Sequence, residues 1–154
     1  MIQVKHRQLL DVDAPTAFLS GVQVEAGSSI WDYVHLTRCH IGRDCMISTF
    51  VEIGPGAVIG DRTRIQSHSF ICADATIGAD CFVAHGVVFL PAGGGHEERP
   101  AELAERVSIG SNATIYPVKI GAGSVVGAGS VVRHDVPAGV VVAGNPAVVI
   151  RELG

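Results

Sequence analysis

The sequence predicts an all-β fold: a chain coiled into a three-sided stack of short strands. Three observations predict it. From Ile41 to Phe89 an aliphatic or aromatic residue stands at every sixth position: Ile41, Ile47, Ile53, Ile59, Ile65, Ile71, Ile77, Val83 and Phe89. Smaller residues follow four places after them, at Cys45, Val51, Ala57, Thr63, Ser69, Ala75, Cys81 and Val87. Glycine stands directly after many of the large residues, as at Gly42, Gly54, Gly60 and Gly78. A helix stripe repeats at about 3.6 residues and a strand at about 2, so this period fits neither alone. It fits a chain that turns a corner after every short strand, three corners closing a coil of 18 residues. Coils stack at the strand spacing of about 4.8 Å. One coil cannot bury its own apolar face, and stacking supplies the core. Ile and Val at the large positions suit short buried strands.

Taken in order, residues 1–23 lack the period and read as a cap, with a loop at Asp11, Asp13, Ala14 and Pro15. The repeat opens at Val24, Ile30 and Leu36, and the coils run over 24–89. Residues 90–106 break the pattern with Pro91-Ala92-Gly93-Gly94-Gly95 and the polar Glu97, Glu98, Arg99, Glu102, Glu105 and Arg106. An insertion into such a stack is thrown out from a corner as a loop. It is expected to protrude, to cover substrate and to reach a neighbouring subunit, with Arg99 and Arg106 free to meet a phosphate or carboxylate. Ala101–Arg106 reads as a possible helical turn. Coils resume over 107–143 through Ile109, Ile115, Ile120, Val126 and Val132. The steps Leu36–Ile41 and Ile115–Ile120 are each one residue short, which predicts tightened corners and no lost strands. Val140–Ala143 reads as a last strand, Gly144-Asn145-Pro146-Ala147 as a turn, and 144–154 as a tail.

A chain of 154 residues is expected to form one domain. No apolar run approaches the roughly 20 residues that span a bilayer, and no charged-then-apolar leader opens the chain. A cytoplasmic protein without membrane contact is expected. The net charge of −4 argues against nucleic acid as a partner. Four cysteines without a Cys-x-x-Cys pair read as small buried hydrophobes.

Ile47, Ile65 and Val83 are one coil apart, so they share a side of the stack. His68 and His85 follow Ile65 and Val83 by three and two places, which sets them in adjacent coils near the same height. Two imidazoles on one strip are a candidate acid–base site. His6, His40, His96 and His134 read as surface residues. Glu52 reads as a solvated strand residue or a substrate ligand.

The hexads Ile53-Gly54-Pro55-Gly56-Ala57-Val58 and Ile59-Gly60-Asp61-Arg62-Thr63-Arg64 resemble those of the hexapeptide-repeat acyltransferases. The resemblance covers about residues 24–150. It implies a left-handed parallel β-helix with one protruding mid-chain loop, and a homotrimer. A narrower likeness, to the N-acetyltransferases of nucleotide-linked amino sugars, rests on five stretches. They are Ile30-Trp31 with Val34-His35, Ile59-Gly60-Asp61 leading to Ile65-Gln66-Ser67-His68, Val83-Ala84-His85-Gly86-Val87, Val126-Gly127-Ala128-Gly129-Ser130-Val131-Val132, and Ala143-Gly144-Asn145-Pro146-Ala147. The chain departs from those enzymes in lacking a Pro-Arg pair in its mid-chain loop and in its first 20 residues.

The resemblance implies acetyl-CoA as co-substrate, a nucleotide-linked amino sugar as acceptor and no metal. The position matching His68 lies beside the acceptor amine in those enzymes; His85 is the second candidate and His35 a weaker one. An imidazole there either orients the amine or takes its proton. Coenzyme A is expected along the last coils, near Gly127 and Ala128, with Arg133, Arg151 and Lys119 as cations and the Asn145-Pro146 turn against the adenine end. Two other functions fit the same fold. A zinc hydratase of the γ-carbonic-anhydrase kind needs three histidines across an interface, and its His-x4-His spacing is missing here. A non-catalytic trimeric scaffold is the other.

Overall fold

The computed structural model describes residues 16–93, 95 and 98–154, together with the backbone of Ile2–Val4. The readings of Asp11–Pro15 as a loop, and of His6 and His96 as surface residues, lie outside the described residues. The chain is a left-handed parallel β-helix with three sheets as its sides. The first sheet stacks Ile2–Val4, Val22–Val24, His40–Ile41, Val58–Ile59, Thr76–Ile77, Glu102–Leu103 and Lys119–Ile120. The second stacks Ser29–Ile30, Met46–Ile47, Arg64–Ile65, Phe82–Val83, Ser108–Ile109 and Val125–Val126, and ends on Val140–Gly144 and Ala147–Glu152. The third stacks Phe18–Ser20, His35–Thr37, Glu52–Ile53, Phe70–Ile71, Val88–Phe89, Thr114–Ile115 and Val131–Val132. Pairing is parallel except at the two ends, where Ile2–Val4 runs antiparallel to Val22–Val24 and Val140–Gly144 antiparallel to Ala147–Glu152. Register follows the hexads: Ile65 lies opposite Ile47 on one neighbour and opposite Val83 on the other.

Strands of two residues stay together because every second residue points inward. Ile41, Ile47, Ile53, Ile59, Ile65 and Ile71 are wholly buried, and the small slots before them fill the corners. Several slots carry hydroxyls that close on backbone. Thr63 Oγ1 donates to the Gly78 carbonyl (2.8 Å) and accepts from the Cys81 N–H (3.0 Å). Ser69 Oγ does the same with Ala84 and Val87, and Ser124 Oγ with Pro137 and Val140. Buried polar atoms so paired avoid the cost of lost hydration. All four cysteines are buried, and burial pushes their thiols up, that of Cys39 to about 12.

Both short steps keep their strands, and both fall at the corner between the third and first sheets. Leu19 to Val24 makes the same short step at that corner. The stack therefore begins at Phe18, inside the segment expected as a cap. A second boundary also differs. Ala101–Arg106 is not a helical turn: Ala101 is buried, and Glu102–Leu103 pairs with Thr76–Ile77 and Lys119–Ile120. Leu103 is six residues before Ile109 and Ala101 six before Val107, so the hexad had already resumed there. The excursion from the stack thus lies between Phe89 and Ala101. Beyond the turn, the expected tail is a strand, Ala147–Glu152, which carries exposed Val148, Val149 and Ile150.

Candidate active site

The corner between the second and third sheets is formed in successive coils by Tyr33, Phe50, His68, Gly86, Asn112 and Gly129, all at positive φ. Hydrogen bonds between coils hold these residues in a column: the N–H groups of Phe50, His68, Gly86, Asn112 and Gly129 donate to Asp32, Thr49, Ser67, His85 and Ser111. The left-handed backbone is costly for a ring-bearing residue, and it is kept here over three consecutive coils. The outcome is an exposed ladder of rings. Tyr33 stacks on Phe50 at 5.1 Å and 12°, and Phe50 meets the His68 ring at 4.8 Å and 33°.

His68 tops this ladder. His85 stands one coil further and one column over, directly above Ser67, with Ser67 Oγ 2.8 Å from its Nδ1. Both histidines are exposed on this one corner. Ala128 continues the His85 column two coils on, after Ser111, and Gly127 precedes it. A side chain at Gly127 would press on the Ala143 Cβ at 3.0 Å, while one at Gly129 would meet open space. One edge of the prism therefore carries imidazoles in its middle coils and a shallow, small-residue stretch towards the C-terminal end.

His35 lies elsewhere. It sits in the third sheet beside Glu52, its Nδ1 3.8 Å from Oε1, with its ring edge-on to Phe18 at 4.8 Å. His35 and Glu52 form a pair on the outer face of that sheet. His40 is half-buried, with Nδ1 3.3 Å from Gln23 Oε1.

The expected cofactor residues divide into groups. Arg133 and Pro146 line a cavity of about 630 Å³ with Gly95, Tyr116, Pro117, Val118, His134 and Asp135. Arg133 lies over the Tyr116 ring at 5.3 Å. Asn145 is next to this cavity in the chain, Gly127 and Ala128 belong to the histidine corner, and Arg151 lies on the outer strand opposite Val141. Lys119 pairs with Glu102 at 3.2 Å. Sequence reasoning gave no role to Ser67 or to Tyr116, and for Tyr116 the aromatic beside a proline at the short corner is the available signal. His134 is exposed as expected and also lines the cavity.

The excursion folds against this cavity. Arg99 Nη2 donates to Asp135 Oδ1 at 2.6 Å, and the Lys119 backbone N–H donates to the same oxygen at 2.8 Å. These donors, the Lys119 amide first and then the Arg99 guanidinium, hold the Asp135 carboxyl below the usual carboxylate range. Arg106, expected in the loop, instead takes a corner position in the stack and pairs with Glu105 at 2.6 Å.

Comparison with known proteins gives this geometry a family. A model of the bacterial transferase hexapeptide (six repeats) matches residues 38–73, 56–91 and 100–134. Bifunctional protein GlmU of Nitratidesulfovibrio vulgaris is 31% identical over 137 residues, 78% of this chain and 30% of its own length. GlmU of Gloeobacter violaceus is 36% identical over 129 residues, 82% of this chain and 28% of its own length. The chain thus spans about a third of the length of these curated relatives. Among solved structures, a His→Ala mutant of GDP-perosamine N-acetyl transferase from Caulobacter crescentus, in complex with CoA and GDP-perosamine, is 29% identical. Its TM-score is 0.63, with 87% of this chain and 56% of that chain covered. A hexapeptide-repeat acetyltransferase from Vibrio cholerae complexed with acetyl coenzyme A is also 29% identical, with a TM-score of 0.61 over 83% of this chain and 72% of that one. With the hexads matched through most of the stack, this chain belongs to the bacterial transferase hexapeptide family.

Proposed function

We propose that the protein is an acyltransferase that moves the acetyl group of acetyl-CoA to an amino group of a nucleotide-linked sugar. Similarity to acetyltransferases solved with CoA, acetyl-CoA and GDP-perosamine supports the donor and the acceptor class. The observation that carries the reading is the shared corner: exposed His68 and His85, with Gly127 and Ala128 two to three coils away on the same edge. A pantetheine arm laid along that edge brings a thioester to the imidazoles. The shallow Gly127–Gly129 stretch admits the arm, and the cavity lined by Arg133 and Pro146 takes the distal end of the cofactor. His68 orients the amine towards the thioester carbonyl. Neutral amine and thioester held within about 3–3.5 Å supply much of the rate gain.

One prism exposes this edge on its outside. Three copies around a closed axis would cover it from a neighbour and make the cleft. The test is a panel of nucleotide-linked amino sugars with acetyl-CoA, following thiol release and product mass. Acetylated product from at least one of them is expected. Thiol release no faster than hydrolysis with every amine, and transfer only to hydroxyl acceptors, would each refute the reading.

A further inference from the structure

The two histidines on the corner are held differently. The His68 ring rests on Phe50, and among the described residues no hydrogen bond directs either of its nitrogens. The His85 ring is directed, because Ser67 Oγ lies 2.8 Å from Nδ1. Ser67 is itself fixed: its carbonyl accepts the Gly86 N–H at 3.0 Å, directly beneath the His85 corner. A base whose second nitrogen is tied to a neighbour has its ring plane set in advance, and a hydroxyl that accepts from that nitrogen also sets its tautomer.

We infer that Ser67 is a positioning residue that makes His85 the general base of the transfer. The inference rests on the acetyl-transfer reading above. With Ser67 Oγ as acceptor of the Nδ1–H, the lone pair of Nε2 is left for the acceptor amine. The acceptor nitrogen forms its bond to the acetyl carbon, and the carbon–sulfur bond breaks with its electron pair on the departing thiolate. The surplus proton of the nitrogen goes to Nε2 of His85. It then passes to the thiolate, leaving amide, coenzyme A thiol and a neutral imidazole. Were Ser67 instead the donor, the proton would sit on Nε2 and the ring could not accept. This reverses the order expected from the sequence, where His68 led.

Nitrogen-15 NMR of the histidine-labelled protein, with His85 assigned through His85→Ala, reads the tautomer without any substrate. A proton on Nδ1 in the wild type is expected, redistributing towards Nε2 in Ser67→Ala. Ser67→Ala should also lower kcat by roughly 10–100-fold with the acetyl-CoA KM unchanged. Ser67→Thr, which keeps the hydroxyl, should restore both readouts. In a His85→Ala background, Ser67→Ala should cost nothing further. A wild-type proton on Nε2 overturns the inference. So does a tautomer that ignores Ser67→Ala, or a kcat that ignores it. Failure of every amine acceptor in the wild type would refute the acetyl-transfer reading, while the tautomer measurement still decides whether Ser67 directs His85.

Discussion

At the scale of single residues, buried hydroxyls and exposed imidazoles do opposite work. Thr63 sits wholly inside the prism and bridges a carbonyl and an amide of the next coil. Thr63→Val keeps the shape and strands both groups. It should lower unfolding free energy by about 1–3 kcal/mol in chemical denaturation, where Thr63→Ser costs less. His68 faces outward and its proposed partner is the acceptor amine. His68→Ala should therefore lower kcat by roughly 10–100-fold, as loss of an orienting contact, while calorimetric affinity for coenzyme A stays near wild type. A fall in coenzyme A affinity with kcat intact would move His68 from the amine to the cofactor.

At the scale of elements, the excursion after Phe89 is tied to its own chain through Arg99 and Asp135. Its Gly95 lines the same cavity as Arg133 and Pro146. Replacing residues 92–98 by a short Gly-Ser link, which spares buried Ala101 and strand Glu102–Leu103, should weaken coenzyme A binding and leave the stack folded. Unchanged affinity with a raised acceptor KM would return the segment to the acceptor side. The Asp135 clamp also makes stability depend on pH. Its folded carboxyl titrates lower than an ordinary one, so its contribution is present above the ordinary value of about 4 and is lost as pH falls through the folded value. Asp135→Asn should lower Tm at neutral pH, and the gap to wild type should close below about pH 4.

At the scale of the molecule, large apolar side chains among the described residues stand uncovered. They include the Tyr33–Phe50 ladder beside the histidines and Val148, Val149 and Ile150 on the last strand. Contiguous exposed apolar patches mark places of association. Light scattering at micromolar concentration should give the mass of three 16.0 kDa chains. A monomeric mass would remove the neighbour that closes the proposed cleft, and the shared site with it.

Much of this was legible in the residues. A six-residue period with Ile inward admits one solution for the backbone, because a phase slip would bury the polar corners and expose the core. That period also set His68 and His85 in adjacent coils, since position along the chain translates directly into height and side. Where the period was interrupted, the same logic still worked but had less to lean on: Leu19 and Leu103 carry the pattern beyond the places where its break was conspicuous. What only the tertiary structure decided depends on neighbours one coil apart rather than on spacing. Ser67 meets the His85 ring because their corner positions stack and their side-chain rotamers converge. Arg99 finds Asp135 because an irregular excursion folds back by an amount that no repeat specifies. A repeat determines the backbone lattice, whereas a site is made by side chains that reach between its layers.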